Sequence, residues 1–170
     1  NNDIIDIESN VLEIVKREVD LLKAYEMLTE NQFLAIMRIA KKANLKVTGH
    51  IPLSMTLFSA IDSGLNGIEH LRNFALSIAS NSDELYRERI ELLKNPDDLP
   101  GSDLRSIIHS KQRMRALDSI DNDKFEEAAN LLASKNVWQT PTLFLYRNSA
   151  QKIFKDLSFI NELNKLPNQI

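Results

Sequence analysis

Apolar positions along the first half of the chain follow two alternating periods. In residues 8–18, Val11 and Val15 fall at helical spacing, which predicts an amphipathic helix with Ser9 or Asn10 as its N-cap. The run DLLKAY comes next and is short and largely apolar. Its length and composition predict a strand, the first of several that alternate with helices.

The second helix is predicted from its first turn. Thr29 and Gln32 stand three residues apart in the order of a capping box. Asn44 is suited to a left-handed helix stop. Between these signals, one helix face carries the apolar residues Phe33, Ile36, Met37 and Ala40.

Two further strands are predicted at LKVTGHIP (residues 45–52) and GIEHL (residues 67–71). A short helix over residues 54–63 separates them, and Gly64 is placed to end it. Strand–helix–strand alternation at these intervals is typical of βαβ units and predicts a parallel α/β sheet.

The second half begins with a polar, helix-prone stretch over residues 75–121, which we interpret as a helical insertion within a single 1–170 domain. The sequence NPDDLPGSD divides it into two helices. A capping-box pattern from Asp123 to Glu126 predicts another helix, FEEAANLLASK. VWQTPTLFL (residues 137–145) predicts the fourth strand, and the tail from Asn148 is expected to be helical and then irregular.

Composition narrows the function classes. The net charge is −3, with 21 basic and 24 acidic side chains, so no single-sign field predicts nucleic acid or an anionic membrane as partner. Cysteine is absent, so any metal must be bound through nitrogen or oxygen ligands. The lack of cysteine and of a signal-peptide pattern favours the cytoplasm.

Lys23, His50 and His70 each stand near the C-terminal end of a predicted strand. Parallel α/β proteins bind ligands at this end of their strands, so neighbouring strands would bring the three side chains to one site. Taken singly, a strand lysine is typically a solvent-facing edge residue, and a strand histidine is typically a hydrogen-bonded structural residue. Coincidental placement in an ordinary α/β domain therefore stays open.

The order of these motifs resembles the amidohydrolase superfamily, in particular its imidazolonepropionase-related and prolidase-like members. The resemblance rests on the strand lysine Lys23, on Gly49-His50-Ile51-Pro52, on Glu69-His70-Leu71 and on WQTPTL at residues 138–143. It spans nearly the whole chain and is weakest in the helical insertion.

The resemblance implies a partial (β/α)8, or TIM-type, barrel: about four parallel strands with flanking helices. It also implies a divalent metal centre, usually zinc, with two ions in the complete barrel and one or none bound by this chain. Lys23, often carboxylated in the family, His50 and His70 would be the metal ligands. The implied reaction is metal-assisted hydrolysis of a C–N bond in a small amide, cyclic amide or dipeptide.

Parts of the family pattern are missing from this sequence. It contains no His-x-His pair, and no strand after WQTPTL carries the general-base Asp, so we assign no catalytic residue and expect the isolated chain to be an inactive fragment. His109 lies near Lys111 and Arg113 and is interpreted as part of a solvated helix face. Tyr25, Arg72 and Thr140 are candidate substrate-binding residues.

An incomplete barrel would expose two sheet edges, and exposed edges pair readily with other chains. We therefore expect self-association. The alternative to a hydrolase is a catalytically incomplete amidohydrolase-like module that acts in binding or oligomerisation.

Overall fold

The computed structural model describes residues 2–71, 73–150, 157–158 and 161. The chain divides into two compact units, Asn1–Thr140 and Pro141–Ile170, and each is described by itself. The single-domain organisation over residues 1–170 stays a prediction. Part of the tail from Asn148 lies outside the described residues.

In the part of the first unit that the structure describes, helices and strands alternate up to the third strand, and four consecutive helices then precede the last strand. Among the described residues the helices are α1 (Asn2–Val15), α2 (Glu30–Lys42), α3 (Leu57–Asp62), α4 (Phe74–Ser77), α5 (Ser82–Leu93), α6 (Gly101–Leu117), α7 (Asn122–Ser134) and, in the second unit, α8 (Leu143–Ala150). The strands are β1 (Leu21–Ala24), β2 (Lys46–Gly49), β3 (Gly67–Glu69) and β4 (Trp138–Thr140). None of the described helices is both long and apolar enough to cross a membrane.

The four strands form one parallel sheet in the order β1-β2-β3-β4. The predicted parallel α/β sheet is thus confirmed, whereas its closure into a barrel stays a prediction. Thr48 of β2 pairs with Lys23 on one side and with Gly67 on the other. All carboxyl ends of the strands therefore lie at one edge of the sheet.

The two faces of the sheet differ in exposure. Leu22, Ala24, Val47 and Ile68 are buried in a core that also contains apolar residues of α1, α2, α3 and α7. Side chains alternate across a strand, so the intervening residues lie on the opposite face. That face is far more exposed: half of Leu21 and 72% of Trp138 are accessible to solvent.

The predicted capping box of α2 and the predicted left-handed residues after α2 and α3 are confirmed. The Thr29 hydroxyl accepts a hydrogen bond from the Gln32 backbone N–H, and the Gln32 side chain accepts one from the Thr29 N–H. Asn44 has φ 55° and Gly64 has φ 102°, so both lie in the left-handed region expected after a helix.

Two predicted N-caps and the predicted end of the fourth strand were wrong. The first helix includes Ser9 and Asn10 in its interior, so neither is its cap. The last helix of the first unit is capped by Asp121, whose carboxylate accepts hydrogen bonds from the N–H groups of Asp123 and Lys124. The fourth strand ends at Thr140, because Pro141 has no N–H to continue the ladder; the residues from Leu143 are helical.

The segment interpreted as an insertion contains most of α4 and all of α5 and α6, and its status as an insertion stays a prediction. Ala79 and Ile120 form an antiparallel bridge, so the segment leaves and rejoins the rest of the first unit at one place. It is also tied to the sheet edge through buried Arg89, which donates to Gln112 and to Asn73. Asn73 in turn donates to the carbonyl of Ile51, which follows β2. The insertion is therefore docked onto the loops that carry the candidate site.

Gly49 allows β1 and β2 to approach closely. Its φ is +130°, and a Cβ added there would lie 2.1 Å from the Ala24 carbonyl oxygen. We expect Gly49→Ala to lower the free energy of unfolding by about 3 kcal/mol, because two backbones would have to separate. The matched control is Gly101→Ala, whose new methyl group would meet only Met27 at 3.9 Å and should change stability by less than about 1 kcal/mol. Urea unfolding of both variants measures the difference; equal stabilities would contradict the assignment.

Candidate metal centre at the strand ends

Lys23 and Glu69 form an ion pair across the exposed face of the sheet. The Lys23 Nζ atom lies 2.5 Å from the Glu69 Oε2 atom. The lysine side chain is about half exposed, whereas the glutamate side chain is only 16% exposed. The strand lysine thus has a carboxylate partner rather than standing alone among apolar residues.

His50 directly follows β2 and is almost completely buried, with 3% of its surface exposed. Its backbone N–H donates to the Ala24 carbonyl, which continues the β1–β2 ladder by one residue. Neither ring nitrogen has a hydrogen-bond partner among the described residues. Buried polar atoms without a hydrogen bond are uncommon in folded proteins, and imidazole nitrogens of this kind are suited to bind an ion.

His70 lies one residue beyond β3, where its φ is 60°. Its N–H donates to the Thr140 carbonyl of the neighbouring strand. The predicted strand over residues 67–71 thus ends before His70, and side-chain alternation within a strand does not set the direction of this side chain. The His50 and His70 rings are nonetheless adjacent, with centroids 5.1 Å apart and an interplanar angle of 82°.

Three side chains, those of His50, Glu69 and His70, each offer one ligand atom, and these three atoms lie within 4.8 Å of one another. Two imidazoles and a carboxylate are a ligand set suited to zinc, and the buried His50 ring, which makes no side-chain hydrogen bond among the described residues, fits a bound ion. Sequence analysis did not identify Glu69 as a candidate ligand, although it stands next to His70 at the end of a predicted strand. The structure brings His50 and His70 together and places Lys23 beside Glu69.

A second polar cluster surrounds the Glu26 carboxylate, which follows β1 and is fully buried. His109 Nε2 lies 2.8 Å from Glu26 Oε2, and Arg105 donates to Oε1 at 3.0 Å. His50 Nδ1 lies 3.6 Å from the same Oε1 atom. His109 is therefore not on a solvated helix face, and that interpretation was wrong; its side chain is 13% exposed and contacts Glu26.

The surroundings of Glu26 keep it ionised. Burial alone would raise the pKa of this carboxyl, but the hydrogen bond to His109, the His50 ring 3.6 Å away and the hydrogen bond to Arg105 together outweigh burial. The net result is a pKa far below the ordinary range for glutamate. A buried anion thus faces His50 from the side of β1.

The structure describes two of the three predicted substrate-binding residues. Tyr25 is about half exposed; its ring lies 4.7 Å from the His50 ring, and its hydroxyl accepts a hydrogen bond from Arg105. Thr140 ends β4, and its carbonyl anchors His70, while its residue surface is exposed. Arg72 lies outside the described residues. Their role in binding a substrate stays a prediction.

Comparison with known proteins identifies no relative. No family model, no curated protein and no solved structure matches the chain.

The ionised state of Glu26 predicts an acid dependence of stability. Its folded-state pKa is below the usual value of 4.5, so its ionised form stabilises the fold above that pH and loses its effect as the pH falls below it. In the metal-free chain we expect Glu26→Gln to lower stability at pH 7 and to reduce the loss of stability between pH 5 and 3. The reduction in slope should be up to about 1.4 kcal/mol per pH unit.

Urea midpoints measured across that pH range test this expectation. Glu91→Gln is the matched control, because Glu91 forms an exposed i,i+3 ion pair with Lys94 and should leave the slope unchanged. Parallel pH profiles for the native chain and Glu26→Gln would contradict the assignment.

Proposed function

We propose that this chain contributes a metal centre of the amidohydrolase type, which hydrolyses a C–N bond in a small amide, cyclic amide or dipeptide. His50, His70 and Glu69 would bind a divalent ion, with zinc the best match to the ligand set. The observation that carries the proposal is the buried ring of His50, whose nitrogens make no hydrogen bond among the described residues, beside a second histidine and a carboxylate. The motif resemblance and the parallel sheet support the same class and a partial (β/α)8 barrel.

A bound zinc ion would supply Lewis acidity, lowering the pKa of water and polarising a carbonyl oxygen. The chain's own residues orient the site. The His50 ring is fixed by burial, and the His70 backbone is anchored to Thr140 of the neighbouring strand. Tyr25, stacked near His50 and partly exposed, is positioned to contact a substrate.

Lys23 has two possible roles in this proposal. The resemblance makes it a ligand after carboxylation, which requires the neutral amine. Its ion pair with Glu69 favours a second role, as the cation that neutralises Glu69 when no metal is bound. The two roles differ in what an arginine at position 23 would do, because a guanidinium preserves the charge but does not form a lysine carbamate.

Metal titration tests the centre. We expect the chain to bind Co²⁺ or Zn²⁺ weakly, and His50→Gln and Glu69→Gln each to weaken binding by more than about 100-fold. Loss of a residue that only orients a ligand already costs about 10–100-fold, so loss of a ligand should cost more. Glu91→Gln is the control for the glutamate variant. Absorption spectra of the Co²⁺ complex and calorimetry provide the measurements, and unchanged affinity in both ligand variants would contradict the proposal.

The same titration separates the roles of Lys23. Lys23→Arg should change affinity by less than about fivefold if Lys23 is only a counter-ion, because a partly exposed ion pair contributes about 0–1 kcal/mol. Loss of binding in Lys23→Arg, together with stimulation of the native chain by bicarbonate, would instead make Lys23 a ligand. We expect little or no hydrolysis of dipeptides and cyclic amides by the isolated zinc-loaded chain, and any turnover should disappear in His50→Gln.

A second candidate function, assembly through the sheet, is favoured by the exposed face. In the described sheet β1 and β4 each have one unpaired edge, and Trp138 on β4 is 72% exposed. Unpaired edges with large apolar side chains associate readily. We therefore propose that copies of the chain self-associate through these edges.

Sedimentation velocity at increasing protein concentration tests the association. We expect a dimer or larger species for the native chain and at least a tenfold weaker association for Trp138→Lys, which places a charge on the edge strand. Met114→Lys is the control, since Met114 is 60% exposed but lies on the insertion. A monomer at all concentrations, or equal effects of the two lysine variants, would count against the sheet edge.

A further inference from the structure

Glu26 lies at the meeting point of the sheet edge and the insertion. It is supplied by the loop after β1, its Oε2 atom contacts His109 of α6, and its Oε1 atom contacts Arg105 of the same helix. His109 and Arg105 are 83 and 79 residues away from it in sequence. Two side chains of the insertion therefore bind the two oxygens of a buried carboxylate.

The clamped carboxylate faces one nitrogen of His50. An ionised carboxylate only accepts hydrogen bonds, so His109 Nε2 is the donor to Oε2. Oε1 lies 3.6 Å from His50 Nδ1, somewhat beyond an ordinary hydrogen bond. In a neutral imidazole one nitrogen carries the proton and the other accepts, so an anion beside Nδ1 favours the proton on that atom. Nε2 is then left with its lone pair.

We infer that Glu26 is a positioning residue for His50: it selects the tautomer with the proton on Nδ1 and leaves Nε2 to bind a divalent metal, while His109 and Arg105 of the insertion hold Glu26 in place. Metal-binding histidines commonly donate their second nitrogen to a carboxylate in this way. The inference gives the helical insertion a role in the site. Its metal-binding part rests on the proposed function, whereas the tautomer is a property of the metal-free chain.

Nitrogen NMR of the ¹⁵N-histidine-labelled, metal-free chain tests the tautomer at pH 8. Only three histidines are present, so His50→Gln, His70→Gln and His109→Gln assign all the ring signals. We expect His50 to show a protonated Nδ1 and an unprotonated Nε2. In Glu26→Gln this preference should weaken or reverse, while Glu91→Gln should leave it unchanged. A native His50 with its proton on Nε2, or on both nitrogens, would overturn the inference, and this measurement decides the matter even if Glu26→Gln does not fold.

Metal affinity provides the second readout. Glu26→Gln should weaken Co²⁺ or Zn²⁺ binding by about 10–100-fold, and Glu26→Asp, which restores the anion, should recover part of that loss. Equal affinities in the native chain and a folded Glu26→Gln variant would overturn the positioning role. If the native chain binds no metal but His50 has its proton on Nδ1, the proposed function fails and the contact between Glu26 and His50 stands. The two failures are therefore distinguishable.

Discussion

The buried carboxylate of Glu26 is the constraint on which the arrangement of the site depends. A carboxylate with no exposed surface is strongly disfavoured unless charged or hydrogen-bonding groups surround it. Arg105 and His109 provide those groups, and both come from α6 of the insertion. The insertion must consequently dock on the loop after β1 for the first unit to reach this state.

A second constraint comes from the sheet, whose backbone hydrogen bonds fix the positions of the two histidines. Gly49 lets the β2 backbone come close to Ala24, and the ladder then continues through the N–H of His50. His70 is anchored in the same manner to Thr140 on β4. The two imidazoles are therefore placed by backbone hydrogen bonds of adjacent strands, which define positions more rigidly than long, mobile side chains do. This rigidity is what a metal ligand requires.

The two carboxylates of the site are neutralised by cationic groups in different environments. Glu69 is balanced by Lys23 on the exposed face, where solvent screens the pair. Glu26 is balanced by Arg105 and His109 in the interior, where the contributions of individual charges are larger. His50 lies beside the Glu26 carboxylate, and one of its ring nitrogens lies within 4.8 Å of a Glu69 oxygen. In the proposed metal centre, Glu26 would orient the His50 ring, and His50 would bind the ion together with Glu69 and His70.

Local sequence determined the elements: the Thr29 capping box, the left-handed stops at Asn44 and Gly64, and the parallel strands with polar residues at their carboxyl ends. These features were predictable because each depends on residues a few positions apart. The contact of His109 with Glu26, and the choice of Glu69 as the carboxylate beside His50 and His70, were decided only by the tertiary structure. A charged helix face looks alike whether it contacts water or a buried anion, and the anion that distinguishes the two lies 83 residues away in the chain.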